Sequence, residues 1–207
     1  MIMVVGSKGN MGSRYKAILR YLNKDMVGVD VDTDETLRKK MVQKCDGIII
    51  ATPTDTHYKA INEYAQYGKP ILCEKPITKS LDELQDIVAC VDRARIKFNM
   101  VYQYKQFVPG AARGLTSYDY FKHGQDGLHW DCLQIIGLAK GKVTLSEESP
   151  IWKCQINGER LNLNLMDAAY IKMVEDWMHE PGMDLAEIVD IHTRVEEMRV
   201  RDLHGGV

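Results

Sequence analysis

Seven residues constrain the fold most: Gly6-Ser7-Lys8-Gly9-Asn10-Met11-Gly12. They follow an apolar run, Ile2–Val5, and precede a stretch in which Met11, Tyr15, Ile18, Leu19 and Leu22 recur at helical spacing. A strand that turns on glycine into a helix leaves first-turn N–H groups free and close to the loop. Glycine there lets the chain reverse sharply and lets a diphosphate approach the backbone. The spacing G-x-x-G-x-x-G is a variant of the dinucleotide-binding fingerprint.

The next hundred residues repeat the strand–helix rhythm. Strands are expected at Met26–Val29, Gly47–Ala51, Pro70–Cys73 and Lys97–Val101. Helices are expected over 33–44, 56–67 and from a capping box at Ser80-Leu81-Asp82-Glu83. Gly68 is placed to end the third helix. Continuous apolar strands alternating with helices predict a parallel sheet covered on both faces. With right-handed crossovers this is a doubly wound α/β unit.

The remainder has a different rhythm. Strands are expected at Thr116–Phe121, Lys142–Ser146, Ile151–Ile156 and Leu161–Leu165, with Asn157-Gly158 as a hairpin turn. A helix is expected over His129–Lys140, and two more close the chain at Ala168–His179 and Asp184–Asp202. The expected fold class is therefore α/β. A Rossmann-type doubly wound sheet occupies 1–104, and a small α+β domain of mostly antiparallel strands occupies 105–207.

Composition excludes several classes of function. Apolar residues are 45% and charged residues 27%, an ordinary globular balance. A net charge of −2 gives no basic excess for a phosphate backbone, so no nucleic-acid partner is expected. Cys45, Cys73, Cys90, Cys132 and Cys154 are odd in number, scattered and without a C-x-x-C pair. They read as reduced thiols of a cytoplasmic protein, with no metal site. Apolar runs are too short for a membrane span. Met1 leads straight into a strand, so no signal peptide is expected.

Three further constellations fall at strand ends, the edge where open α/β sheets bind ligands. Asp30 ends the second strand eighteen residues after Gly12. A carboxylate there accepts hydrogen bonds from the adenosine ribose and repels a 2′-phosphate, which favours NAD over NADP. Ala51-Thr52-Pro53-Thr54-Asp55-Thr56-His57 ends the third strand, and Glu74-Lys75-Pro76 ends the fourth. A lysine at that edge can polarise a carbonyl or hold a substrate hydroxyl.

Together with the glycine loop, the string IIIATPTDTHYKAINEYAQYGKPILCEKPIT resembles the Gfo/Idh/MocA oxidoreductase family, which includes glucose–fructose oxidoreductase and inositol dehydrogenase. The resemblance covers about residues 1–104. It implies a Rossmann nucleotide domain and a second domain whose open sheet binds substrate and builds homo-oligomers, a dimer or tetramer. It also implies that Lys75 touches both the nicotinamide ribose and the substrate hydroxyl, with Pro76 often cis. Gly6, Gly9, Asn10, Met11, Gly12, Asp30, Thr52, Pro53, His57, Glu74, Lys75 and Gln103 are the expected cofactor contacts.

The family's second catalytic element is an Asp with a His four residues later. The nearest candidate is His129 with Asp126, but Asp126 is three residues before it and Gln125 stands at four. Asp131 is a second possible orienting group. His123 has Asp119 four before it but falls at a strand end, and ranks second. Histidine suits acid–base work because it titrates near neutrality.

Between Asp30 and Gly47 there is room for one helix only, so one βα unit of the nucleotide domain is expected to be missing. The second domain is short, yet the closing segment resembles the family's last helices. The expectation is a trimmed member with both ends present. The implied activity is hydride transfer between nicotinamide and a secondary alcohol or ketone of a sugar or cyclitol. The alternatives are a dinucleotide-binding sensor without turnover, or an imine or tetrapyrrole reductase on the same fold.

Overall fold

The computed structural model describes residues 1–106, 117–121, 142–146, 153–156, 159–160 and 165–204, with side chains for 1–103, 106 and 165–194. The chain divides into two compact units. The first is Met1–Val101 with Met173–Leu185, and the second is Tyr102–Lys172 with Ala186–Val207. The segment 173–185, which a 1–104/105–207 division assigns to the second domain, thus clusters with the first unit.

The first unit is built on β1 (Ile2–Val5), β2 (Met26–Val29), β3 (Gly47–Ile50), β4 (Ile71–Cys73) and β5 (Phe98–Met100). All pairings are parallel, in the order β2-β1-β3-β4-β5. Between them run α1 (Asn10–Tyr21), α2 (Glu35–Lys44), α3 (His57–Ala65) and α4 (Leu81–Ala94). The strand order reverses at β1, so right-handed crossovers put α1 on one face and α2, α3 and α4 on the other. The full dinucleotide fold carries six strands, with one further strand beyond β2. That unit is absent here: α2 leads directly back to β3.

Burial explains the continuous apolar strands. Every residue of β1 and β3 is buried, whereas β2, at the sheet edge, buries only Val29. A short turn, Thr54–Thr56, precedes α3. The capping box forms with a detour. Ser80 Oγ accepts from Glu83 N at 3.3 Å, while Ser80 N donates to Thr78 Oγ1, whose hydroxyl in turn donates to Glu83. From the closing helix α5 (Met166–His179), Trp177 lies against Gly47 and is 3% exposed.

The second unit holds a four-stranded sheet, β6 (Ser117–Phe121), β7 (Lys142–Ser146), β8 (Lys153–Ile156) and β9 (Glu159–Arg160), in the order β7-β6-β8-β9. Two pairings are antiparallel and one, β6 with β7, is parallel. β8 and β9 pair across Asn157-Gly158, as the turn signal predicts. The strand expected over Leu161–Leu165 is not one at its end: Leu165 opens the helical turn into α5. Residues 161–164 and the helix expected over 129–140 lie outside the described residues. The last helix, α6, spans Leu185–His204. Among the described residues no helix is long and apolar enough to cross a membrane.

Candidate functional site

The C-terminal edge of the first sheet is assembled by hydrogen bonds that continue the strand pairing. Gly6 N donates to Val29 O, Ala51 N to Val5 O, Glu74 N to Ile50 O and Val101 N to Cys73 O, each within 2.8–2.9 Å. These bonds bring the glycine loop, the end of β2, the Ala51–Thr52 turn and the Glu74–Lys75 turn into one row.

The glycine loop is tightly specified. Gly6 has φ +81°, and a Cβ on it would stand 2.7 Å from Ala51 O. A Cβ on Gly12 would stand 2.1 Å from Gly6 O, so only glycine lets α1 start this close to the loop. Asn10 and Met11 open α1 behind its cap, Gly9. The first turn holds no acidic residue and the cap offers no side-chain acceptor. No acidic side chain of the helix's own first turn or cap therefore competes for its N–H groups.

Asp30 is tied to this loop. Ser7 Oγ donates to Asp30 Oδ2 at 2.6 Å and Lys8 N to Oδ1 at 3.2 Å. Thr33 Oγ1 accepts from Asp30 N at 2.8 Å. Each carboxylate oxygen keeps acceptor capacity for a ligand hydroxyl. Lys8 Nζ pairs with Asp32 Oδ2 at 2.5 Å in solvent; the pairing raises the lysine's pKa and lowers the aspartate's.

Thr52 and His57 serve different ends. Thr52 Oγ1 is buried without a partner among the described residues, beside Gly6. His57 is 1% exposed, with Nδ1 2.8 Å from Pro76 O and Nε2 2.8 Å from Thr52 O. The ring clasps the turns after β3 and β4, and a nitrogen bonds its carbonyl only when it carries hydrogen. Pro53 caps the short turn leading to α3.

Glu74 is 6% exposed. Its Oε1 accepts from Tyr15 Oη at 2.6 Å and its Oε2 from Lys75 N at 3.1 Å. Burial pushes its pKa above the usual glutamate value, against the lowering effect of Tyr15, Lys75 and His57. Lys75 is half-buried and its peptide bond to Pro76 is cis. Gln103 belongs to the second unit, buried in the turn Gln103–Gln106. His129, Asp126, Asp131, Gln125 and His123 lie outside the described residues, and Asp119 falls within β6.

A cavity of about 650 Å³ opens along this edge, bounded by Gly6, Asp30 and Thr52 and continuing between α2 and α3 past Arg38 and Tyr64. That is the size of a site for a small ligand or part of a cofactor. Arg38 Nε lies 3.4 Å from Glu63 Oε1 across the two helices. Ser7, Tyr15 and Gly28 are contributors that sequence patterns alone do not single out. Their partners lie 23 and 59 residues away for Ser7 and Tyr15.

Residues 26–102 match the Gfo/Idh/MocA family, described as an oxidoreductase family with an NAD-binding Rossmann fold. Over these residues the chain is similar to that family. It is 31% identical over 86 residues to the rhizopine catabolism protein MocA of Rhizobium meliloti, covering 41% of this chain and 27% of that protein. It is 32% identical over 80 residues to inositol 2-dehydrogenase of Mycolicibacterium smegmatis, covering 39% of this chain and 23% of that enzyme. These matches span about a quarter of the relatives' own length.

Among solved structures, the WlbA dehydrogenase of Thermus thermophilus, in complex with NAD and UDP-GlcNAcA, superposes with a TM-score of 0.76 at 12% identity. The superposition covers 96% of this chain and 94% of that one. A myo-inositol dehydrogenase of Corynebacterium glutamicum superposes at 0.69 with 13% identity, covering 94% of each chain. At such identities these show the fold alone, one this chain shares with proteins described as dehydrogenases.

Proposed function

We propose that this protein is an NAD-dependent oxidoreductase acting on a secondary alcohol of a sugar or cyclitol, or on the corresponding ketone. The observation that carries the reading is the row along the sheet edge: a glycine loop that a Cβ would obstruct, Asp30 fastened to it, and Lys75 two strands away. The cradle at Gly12 and the unpartnered Thr52 hydroxyl fit a dinucleotide. Gly6, Gly9, Asn10, Met11 and Gly12 would hold the diphosphate on N–H groups, and Asp30 the adenosine ribose. Asp30 favours NAD over NADP because a 2′-phosphate would meet its carboxylate.

When bound, the nicotinamide supplies the hydride acceptor or donor. Lys75 orients the substrate oxygen and offsets negative charge developing on it. His129, with Asp126 or Asp131 as orienting partner, is the proposed acid–base group; His123 is the second choice. A homo-oligomer formed through the second sheet is part of the same proposal, since an open sheet edge seeks a partner.

Titration with NADH, followed by cofactor fluorescence, tests binding. A panel of polyols and cyclitols assayed with NAD, with Lys75→Ala as control, tests turnover. Activity in the wild type that collapses in Lys75→Ala supports the proposal. Equal activity in both overturns the role of Lys75. Tight NADH binding without turnover on any polyol favours a sensor.

A further inference from the structure

The turn that carries Lys75 is anchored on both sides by groups that the chemistry above does not use. On one side the Glu74 carboxylate accepts the Lys75 N–H, and its other oxygen accepts the Tyr15 hydroxyl. On the other side the carbonyl of Pro76 faces His57 Nδ1. Tyr15 is fully buried and sits on α1, one turn inside the end that begins at the glycine loop. One helix turn and two hydrogen bonds therefore connect the glycine loop, through Tyr15 and Glu74, to the backbone of Lys75. Both oxygens of Glu74 have partners within the chain, and the residue is 6% exposed, which speaks against its being a cofactor ligand.

We infer that Tyr15 and Glu74 are positioning residues: their hydrogen bond transmits occupancy of the glycine loop to Lys75 and sets where its ammonium group stands. The coupling to cofactor rests on the function proposed above; the positioning itself does not. The path is short and stiff. It consists of one helix turn, one phenol and one carboxylate, joined by a buried hydrogen bond of 2.6 Å.

The test reads the Lys75 amine directly. Wild type, Tyr15→Phe and Glu74→Gln are acetylated with an amine-reactive ester, with and without NADH. Labelling is quantified by peptide mass spectrometry relative to Lys24, an exposed lysine before β2. Without NADH, both variants should change the Lys75 rate by about threefold or more, the lower end of the net weight of one hydrogen bond. With NADH, the wild type should be protected about tenfold, whereas Tyr15→Phe should bind NADH within about threefold of wild type yet lose most of that protection.

Tyr15→Phe keeps the buried ring and Glu74→Gln keeps the side-chain shape, and thermal melts report whether each is folded. If one fails to fold, the other carries the test. Labelling and protection identical to wild type in folded variants would overturn the inference and leave the dinucleotide reading standing. Altered labelling without any NADH binding would support the positioning role and overturn the dinucleotide reading.

Discussion

Ser7 Oγ donates to Asp30 Oδ2 at 2.6 Å, joining the glycine loop to the end of the neighbouring strand. Ser7 is buried against Gly28, where an added Cβ would come within 2.5 Å of its hydroxyl. Asp30 is therefore held in one orientation before any ligand arrives. Ser7→Ala should weaken NADH binding by about three- to tenfold, the net range of one ordinary hydrogen bond. It should also narrow the preference for NADH over NADPH. Fluorescence titrations with both dinucleotides read this; unchanged preference would separate Ser7 from cofactor choice.

The glycines of the loop are not equivalent. A Cβ at Gly12 would collide with backbone at 2.1 Å, whereas one at Gly9 would meet its nearest atom at 3.4 Å. Gly12→Ala should lower stability by about 2 kcal/mol or more and abolish NADH binding, because a backbone clash cannot be relieved by a rotamer change. Gly9→Ala should stay folded with a much smaller loss. Thermal melts and NADH titration of the two variants check the ordering.

Much of this arrangement is legible in the residues. Ile2–Val5 and Met26–Val29 are strands over the expected span, and the remaining three strands of the sheet are trimmed by a residue at one or both ends. Burial on both faces makes such strands continuous apolar runs, so they announce themselves locally. The missing βα unit is equally plain, because a gap between Asp30 and Gly47 has a fixed capacity.

What stays hidden is every relationship carried by tertiary contact. No local pattern announces that Tyr15, from another helix, donates to the Glu74 carboxylate. Nor does any local pattern announce that both ring nitrogens of His57 lie on backbone carbonyls of two different turns. The parallel pairing of β6 with β7 is hidden for the same reason. Neither strand's pattern states which neighbour it will take.

His192 makes a prediction about pH. It is 5% exposed, Nδ1 bonds to Ile188 O at 2.9 Å, and burial lowers its pKa below the ordinary histidine value. A histidine kept neutral by folding contributes stability that is fully present above the unfolded-state pKa of 6.5 and is lost as pH falls below it. Urea midpoints should therefore decline from pH 7.5 to pH 5.5, tested at about half-unit steps. His192→Gln should flatten that decline. A slope identical in the variant would assign the acid sensitivity elsewhere.

Glu74 predicts the opposite sign. Burial raises its pKa in the folded protein. Its contribution is therefore favourable at low pH and is lost as pH rises from the ordinary glutamate range through the folded-state value. Glu74→Gln removes this dependence, so its melting temperature should gain on wild type as pH rises. A constant difference between the two proteins across the range would show that Glu74 titrates alike in both states.

The central claim is that a dinucleotide lies across the glycine loop with Lys75 within its reach. Hydrogen–deuterium exchange with and without saturating NADH measures this most directly. The account predicts slowed exchange in peptides covering residues 6–12, 30–33, 52–57 and 74–76, with little change at the opposite end of the sheet. Exchange at residues 6–12 that is indifferent to NADH would contradict it.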